Sequence, residues 1–195
     1  MTDHPSDEQR IDLGIVVDYY RPYVSGLTEV ARFIAEGLAG RGYRVEVVCG
    51  SHDPELAPTE VIEGVRVRRC TVRGHVGKAL IQPGFPGEVA RLAKRSRLLQ
   101  PHLPLPEGLA CRAWRSAPIV PLYQCDAVFP GGAGAARLAG RLMERAVDLA
   151  SAEVFRCSTE LIVSSQDYLT ESRMQRHATM PVNVIPPPVP TRPFG

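Results

Sequence analysis

Four stretches of this 195-residue chain carry polar side chains of the kinds that bind ligands or move protons. They are residues 18–26, 102–107, 123–134 and 164–167. Carboxylates and imidazole rings serve as general acids and bases, whereas an amide such as that of Gln124 only exchanges hydrogen bonds near neutral pH. The chemistry available to the chain therefore depends on which of these stretches the fold brings together.

Apolar runs in the first half of the chain predict the elements that must position these side chains. Residues 11–17 (IDLGIVV) and 45–50 (VEVVCG) are typical of strands buried on both faces, and residues 27–42 between them predict a helix. Residues 61–72 alternate apolar and basic side chains about a central glycine, which predicts a hairpin or an edge strand. In that interpretation its arginines face solvent: Arg66, Arg68 and Arg69.

The second half continues the alternation of strands and helices. The run 87–100 (GEVARLAKRSRLLQ) predicts a basic amphipathic helix leading into a short strand that ends near His102. The longest helix is predicted over residues 133–155, with an apolar stripe made of Leu138, Leu142, Met143, Ala146, Val147 and Ala150. This order predicts an α/β fold with a single Rossmann-like, doubly wound, mostly parallel sheet and helices on both faces. Such sheets bind ligands at the carboxyl ends of their strands, where the four stretches lie.

The chain is long enough for one domain of ordinary size. We expect a disordered polar N-terminus over residues 1–10, the Rossmann-like domain over 11–185 and a proline-rich linker over 186–195. No run approaches the roughly 18 apolar residues of a membrane-spanning helix, so we expect a cytoplasmic protein. The five cysteines contain no C-x-x-C pair, which disfavours a disulfide framework or a zinc site. Basic residues that are mostly arginine, with abundant Ala, Gly and Pro, favour a bacterial source.

Several common enzyme classes lack their sequence signatures here. The chain contains no G-x-G-x-x-G, G-x-x-x-x-G-K-[ST], G-x-S-x-G or H-E-x-x-H motif. These absences disfavour dinucleotide-dependent enzymes, P-loop phosphotransferases, and the commonest serine and zinc hydrolases. They leave sugar-nucleotide chemistry open.

Five segments, taken together, resemble a known family. The run IDLGIVVDYYRPYVSGLTEVARFIAEGLAGRGYRVEVVCGS is similar to the opening of the amino-terminal domain of glycosyltransferase family 4. PHLPLPEGL, PIVPLYQCDAVFP and STELIVSSQDYLTESR, followed by VNVIPPPV, occur in that family's order and spacing. The resemblance implies one half of a GT-B fold, in which this domain binds the acceptor. It also implies a second, donor-binding domain, in the same chain or in a separate subunit, that these 195 residues do not include.

The resemblance implies roles for two small residues and two polar ones. Ser25 and Gly26 replace the family's usual Gly-Gly turn beside the donor phosphates, although Gly26 could equally serve only the turn into the helix. Gln124 stands where family members commonly have a histidine near the reacting sugar, and Asp126 matches an acidic position. Both are candidate catalytic residues. The alternatives are a polar strand end for Gln124 and a turn carboxylate for Asp126.

Five further residues are candidates for acceptor binding: Tyr19, Tyr20, Arg21, His102 and Glu107. The tyrosine pair could instead cap the core. His102 could be structural or solvated, and Glu107 could sit at the amino terminus of a helix. We expect neither a metal nor any cofactor, with a nucleotide-sugar as co-substrate.

Charge is distributed unevenly, since residues 61–100 carry nine basic and two acidic side chains. Part of this charge forms a basic tract, defined as Arg91, Lys94, Arg95 and Arg97. The tract could contact an anionic membrane at the periphery, although a solvated helix face explains it as well. It lacks the interleaved aromatic residues of a nucleic-acid site, so no nucleic acid is expected.

The resulting hypothesis is the acceptor-binding half of a retaining glycosyltransferase. It would transfer a hexosyl group from a nucleotide-sugar to the hydroxyl of a glycan, a lipid-linked molecule or a natural product. The isolated chain would be incomplete or inactive as an enzyme. The alternative is a non-catalytic α/β binding or partner module derived from such a domain.

Overall fold

The computed structural model describes residues 10–129 and 133–188. The described residues form ten strands: β1 (Ile11–Val16), β2 (Val45–Ser51), β3 (Thr59–Ile62), β4 (Val65–Thr71), β5 (Gly74–Val76), β6 (Ala79–Ile81), β7 (Ser96–Leu103), β8 (Leu122–Tyr123), β9 (Leu161–Val163) and β10 (Val182–Val184). The helices are α1 (Gly26–Ala39), α2 (Phe85–Arg95), α3 (Ala135–Cys157) and α4 (Gln166–Glu171), with 3₁₀ helices over Pro106–Trp114 and Gln175–His177.

Eight strands form the central sheet, in the order β10-β9-β8-β7-β1-β2-β4-β3. Every neighbouring pair is parallel except β3 and β4, which form the predicted antiparallel hairpin at one edge. The parallel strands therefore bring their carboxyl ends to one edge of the sheet, which is here called the carboxyl edge. The predicted α/β class and mostly parallel sheet are confirmed.

The core has two parts, one on each face of the sheet. On one face α1 contributes Ala31 and Ala35 to a cluster with the inward side chains of β1, β2 and β4. On the other face Leu92 of α2, Trp114 of the 3₁₀ helix and Phe155 of α3 pack together. Helices thus cover both faces, as a sheet of buried parallel strands requires. Gly14 lets α2 approach β1 closely, because a Cβ there would lie 2.9 Å from Leu92.

The apolar stripe predicted for α3 is wrong over its first half. The helix begins at Ala135, and Leu138 and Leu142 are 61% and 56% exposed. Burial starts at Val147 and runs through Phe155, where the helix packs against the 3₁₀ helix. Contact is close there, since a Cβ on Gly108 would lie 2.7 Å from Val154. The first half of α3 has no comparable surface beneath it among the described residues.

The prediction that Arg69 faces solvent is also wrong, although Arg66 is exposed and Arg68 partly so. The Arg69 side chain is wholly buried and forms an ion pair with Glu60. Its guanidinium also donates to the carbonyl oxygens of Ala57, at 2.9 Å, and Arg21, at 2.7 Å. Arg69 lies two and four residues beyond Val67 and Val65, so the period of the strand places it on their buried face.

Other departures from the predicted elements are smaller. Residues 74–81, to which the sequence patterns assign no element, contain the β5-β6 hairpin. The helix at whose amino terminus Glu107 lies is a 3₁₀ helix. Residues 1–9 of the predicted N-terminal segment and 189–195 of the predicted linker lie outside the described residues, as do residues 130–132 of the stretch 123–134.

Candidate functional site

A cavity of about 600 Å³ opens at the carboxyl edge, beside the amino terminus of α1. We call it the apolar pocket because most of its lining side chains are apolar, among them Val17, Tyr23, Leu27, Pro104, Val128 and Phe129. Few polar residues line it: Asp18, Tyr19, Ser25, Thr28, Lys78, His102 and Asp126. A cavity of this size, apolar with a few convergent polar groups, is typical of a small-molecule site.

The amino terminus of α1 forms one wall of the apolar pocket. Ser25 caps the helix by accepting a hydrogen bond from the backbone N–H of Thr28, while the Thr28 hydroxyl accepts from the backbone N–H of Ser25. This reciprocal pair fixes the turn without help from Gly26, whose added Cβ would meet no atom within 4 Å. The fold therefore leaves open space at Gly26, next to the positive end of a helix dipole.

The three aromatic and basic candidates that follow β1 have different positions. Tyr19 lines the apolar pocket, stacks on Tyr23 at a centroid distance of 4.3 Å and donates its hydroxyl to the Lys78 carbonyl at 2.7 Å. Tyr20 is wholly buried in the core beside α1, so it caps the core and does not border the pocket. Arg21 forms an ion pair with Glu36 of α1, outside the pocket lining.

Asp18 and Glu107 form a carboxyl pair across the ends of β1 and β7. The two side chains are hydrogen-bonded to each other, and Gln82 donates to Asp18 Oδ1 at 3.2 Å. Burial, followed by the charge of Glu107 and the shared hydrogen bond, raises the pKa of Asp18 well above its ordinary value. Burial likewise raises the pKa of Glu107. The pair therefore favours holding a proton between its members, and Asp18 presents it to the apolar pocket.

His102 lies at the end of β7 in a chain of three hydrogen-bonded side chains. Gln124 Nε2 donates to His102 Nδ1 at 2.9 Å, and His102 Nε2 donates to Gln100 Oε1 at 3.3 Å. Burial lowers the pKa of His102 to about 3. The ring is consequently neutral with its proton on Nε2, and both nitrogens are occupied. Gln124 thus orients His102, whereas Gln124 itself does not line the pocket.

Asp126 lines the apolar pocket but is held by several neighbours. Its Oδ1 accepts hydrogen bonds from the hydroxyls of Tyr123 and Ser172, the latter at 2.9 Å. Its backbone N–H donates to the Tyr168 hydroxyl at 2.7 Å. This network ties the loop after β8 to α4, which fits the turn role and leaves the carboxylate beside the cavity.

The structure thus brings some of the predicted residues together and separates others. Four line the apolar pocket: Tyr19, Ser25, His102 and Asp126. Five do not: Tyr20, Arg21, Gly26, Glu107 and Gln124. Sequence reasoning missed Asp18, although its place directly after the first buried strand could have singled it out. It also missed Gln82, for which no sequence signal exists.

The basic tract is largely engaged by acidic side chains. Arg91 forms an ion pair with Glu88, and Arg95 donates to the buried Glu46 at 2.9 Å. Arg97 lies 3.6 Å from the carboxylate of Asp12. These partners offset much of the charge on which the membrane hypothesis rests. Across residues 10–129 and 133–188 we find no helix with the length and apolarity needed to cross a membrane.

Comparisons with known proteins agree with this architecture. A family model described as "Glycosyl transferase 4-like domain" matches residues 25–188. No curated protein matches the sequence. Sucrose-phosphate synthase from Thermosynechococcus elongatus has a similar structure, with a TM-score of 0.60 and 14% identity over 91% of this chain and 48% of the synthase. The Anabaena protein HepE, solved in complex with UDP-glucose, has a TM-score of 0.54 and 15% identity over 91% of this chain and 44% of its own. The chain therefore spans about half the length of these proteins and shares the fold of a GT-B half-domain.

Proposed function

Because the chain belongs to the glycosyl transferase 4-like domain family, we propose that it is the acceptor-binding half of a retaining glycosyltransferase. In this proposal a hexosyl group passes from a nucleotide-sugar to a hydroxyl of the acceptor. The donor contacts come mainly from a second domain, in the same chain or in a separate subunit. No resident metal is needed for any step assigned to these residues.

The observation that carries the proposal is the position and lining of the apolar pocket. It opens at the carboxyl edge, where parallel α/β sheets bind ligands, and beside the amino terminus of α1. Its apolar walls suit an acceptor with an apolar or aromatic body. Its few polar groups suit one hydroxyl on that body. A lipid-linked or natural-product acceptor fits this lining better than a glycan, whose hydroxyls would remain unpaired on apolar walls.

The side chains have distinct roles in this proposal. The Asp18 and Glu107 pair, with its raised pKa values, exchanges hydrogen bonds with the acceptor hydroxyl at the pocket wall. His102 is a positioning residue, because a pKa of about 3 makes it a poor base and Gln124 holds its ring in one orientation. In a front-face retaining reaction the departing phosphate takes the acceptor proton, so no side-chain base is required. The donor phosphates pass beside Gly26, where the helix dipole favours negative charge.

A binding experiment tests the proposal on the 195-residue chain itself. We would titrate it with a panel of hydroxyl-bearing apolar compounds, including long-chain alkyl alcohols and polyphenols, and follow binding by calorimetry. Ala127 lines the pocket, so Ala127→Trp should fill it and abolish binding. Ala113 is exposed on the 3₁₀ helix away from the pocket, and Ala113→Trp is the matched control. Equal affinity in the two variants would overturn the assignment of this pocket.

The same panel separates an enzyme from a binding module. Joined to a donor-binding GT-B domain, the chain should convert a bound acceptor to its glycoside when a nucleotide-sugar is supplied. Binding without transfer by that fusion, under conditions where its donor domain binds nucleotide-sugar, would favour the non-catalytic module instead.

A further inference from the structure

A second depression of about 450 Å³ lies at the carboxyl edge, at the end of β4. We call it the cationic cleft because three arginines line it: Arg68, Arg69 and Arg73. Thr59 and Thr71 supply hydroxyls, and Pro83 and Gly84 form the wall from which α2 begins. Glu88 is the single acidic residue in the lining. The apolar pocket has the opposite character, so the two depressions must select different chemistry.

The arginines of the cationic cleft are unequally neutralised. Arg68 lies 3.5 Å from Glu46 and 3.8 Å from Glu88, and Glu88 also pairs with Arg91. Arg73 is exposed and has neither an ion pair nor a side-chain hydrogen bond with any residue that the structure describes. The lining therefore retains a net positive charge beside a group that is free to bind an anion.

Arg69 gives a second, independent indication of a ligand. Its side chain is wholly buried, and two of its guanidinium nitrogens are bound to Glu60 and to backbone carbonyls. Its Nε has no hydrogen-bond partner within the described ranges, although burial of an unpaired N–H is costly. Arg69 therefore brings to the lining of the cleft a buried guanidinium whose hydrogen-bonding capacity is not fully used by the described residues.

The amino terminus of α2 adds to the positive potential of the cleft. No side chain caps this helix at Gly84, and an added Cβ at Gly84 would meet no atom within 4 Å. The Phe85 N–H donates to the Gln82 carbonyl and Pro86 has no N–H, so this terminus contributes mainly the positive end of the helix dipole. Guanidinium groups beside a helix amino terminus are a combination that proteins use to bind phosphate.

We infer that the cationic cleft binds a phosphate-type anion, held by Arg73, Arg68 and the amino terminus of α2. The connection between β4 and α2 links this site to the apolar pocket. Gly77, Lys78 and Ala79 at its tip line the apolar pocket, whereas Arg73 and Gly84 near its ends line the cationic cleft. A single acceptor could therefore place an apolar body in one depression and an acidic group in the other. This last assignment rests on the proposed function, whereas anion binding itself does not.

The test is a titration of the 195-residue chain with inorganic phosphate, followed by ³¹P NMR. We expect saturable binding that weakens with salt and that falls about tenfold in Arg73→Ala, which removes a charge-assisted hydrogen bond. Arg66→Ala is the matched control, because Arg66 is an exposed arginine of β4 outside the cleft. Gly84→Asp, which places a negative charge at the open terminus of α2, should weaken binding without unfolding the protein.

Two sources of the anion are distinguished by vesicle flotation. Binding to phosphatidylglycerol vesicles, but not to phosphatidylcholine vesicles, that is lost in Arg73→Ala would assign the site to a lipid headgroup. Binding of free phosphate without vesicle binding would assign it to a soluble phosphorylated molecule. If neither probe binds, or if Arg66→Ala weakens binding as much as Arg73→Ala, the inference is overturned.

The inference and the proposed function can fail separately. Ala127→Trp should leave phosphate binding unchanged, because it changes only the apolar pocket. If the chain binds phosphate but none of the hydroxyl compounds, the anion site stands. Its assignment to the acidic group of an acceptor is then wrong.

Discussion

Two helices begin at the same edge of the sheet, α1 at Gly26 and α2 directly after Gly84, and a Cβ added at either glycine would meet no atom within 4 Å. At α1, Ser25 caps the terminus, and Asp18 of the neighbouring apolar pocket is hydrogen-bonded to Glu107. At α2, no side chain caps the terminus, and arginines line the neighbouring cationic cleft. Both sites share the same backbone feature, a helix amino terminus beside a glycine at the carboxyl edge. The surrounding side chains decide that one suits an uncharged body with a hydroxyl and the other an anion.

The largest expected effect is on the rate of sugar transfer, and it distinguishes Gly26 from Gly84. In the chain joined to a donor-binding domain, Gly26→Trp should lower sugar transfer by about a hundredfold or more, because it obstructs the approach of the donor to α1. Gly84→Trp, the matched control at the other terminus, should leave transfer to an acceptor without an acidic group nearly unchanged. Melting temperatures of both variants should stay close to wild type, since a Cβ added at either glycine meets no neighbour. Loss of transfer through unfolding of Gly26→Trp would contradict this interpretation.

A smaller effect concerns the buried arginine of the cationic cleft. Arg69→Ala should lower the free energy of unfolding by about 2–4 kcal/mol, because Glu60 and two backbone carbonyls lose their partner. Arg66→Ala should change it by less than about 0.5 kcal/mol, as is usual for an exposed side chain. Urea denaturation measures both. Equal changes in the free energy of unfolding for the two variants would show that the contacts of Arg69 do not stabilise the cleft.

The acids of the apolar pocket should give stability a characteristic pH dependence. In the unfolded chain Asp18 ionises near its ordinary pKa of 3.8, whereas in the folded protein its pKa is raised well above that value. As the pH rises above 3.8, the unfolded state releases a proton that the folded state retains, so folding becomes less favourable until the folded pKa is passed. Asp18→Asn removes this penalty.

Asp18→Asn should therefore be more stable than wild type at neutral pH, and the difference should vanish as the pH falls below 3.8. Urea denaturation over a series of pH values is the measurement. A variant that is less stable than wild type at neutral pH would show that the ionised pair stabilises the fold. The apolar pocket would then contain a negative charge at neutral pH, and it would not be the uncharged counterpart of the cationic cleft.

The smallest effect concerns the cap that distinguishes the two helices. Ser25→Ala removes the hydroxyl that accepts from the Thr28 N–H and should cost about 1 kcal/mol of unfolding free energy. Thermal or urea unfolding of the single variant is sufficient. An unchanged stability would mean that α1 is held by packing alone, as α2 is.

Much of the fold could be predicted from sequence because its strands are continuous apolar runs or alternate apolar with basic side chains. β1, β2 and the β3-β4 hairpin follow directly from such patterns, and so does α1 between them. The first half of α3 could not, since an apolar stripe indicates burial only if another surface meets it. Arg69 shows the opposite error. Its charge suggested exposure. It lies two residues beyond Val67 and four beyond Val65, however, and this places it on the buried face of the strand.

The site was less predictable than the fold because its contacts join distant parts of the chain. The loops that would contribute could be located, since the carboxyl ends of parallel strands share one edge. The pairing of Asp18 with Glu107, and the hydrogen bond from Gln124 to His102, depend on side-chain directions that no local pattern encodes. Gln124 is therefore better described as a residue that positions His102 than as one facing the pocket.

The central claim is that the apolar pocket receives the acceptor of sugar transfer. The most direct measurement is the rate at which the chain, joined to a donor-binding domain, forms glycoside from a nucleotide-sugar and the best acceptor of the panel. We predict that Ala127→Trp abolishes product formation while Ala113→Trp keeps the wild-type rate. Equal rates in the two variants, with both proteins folded, would contradict the claim.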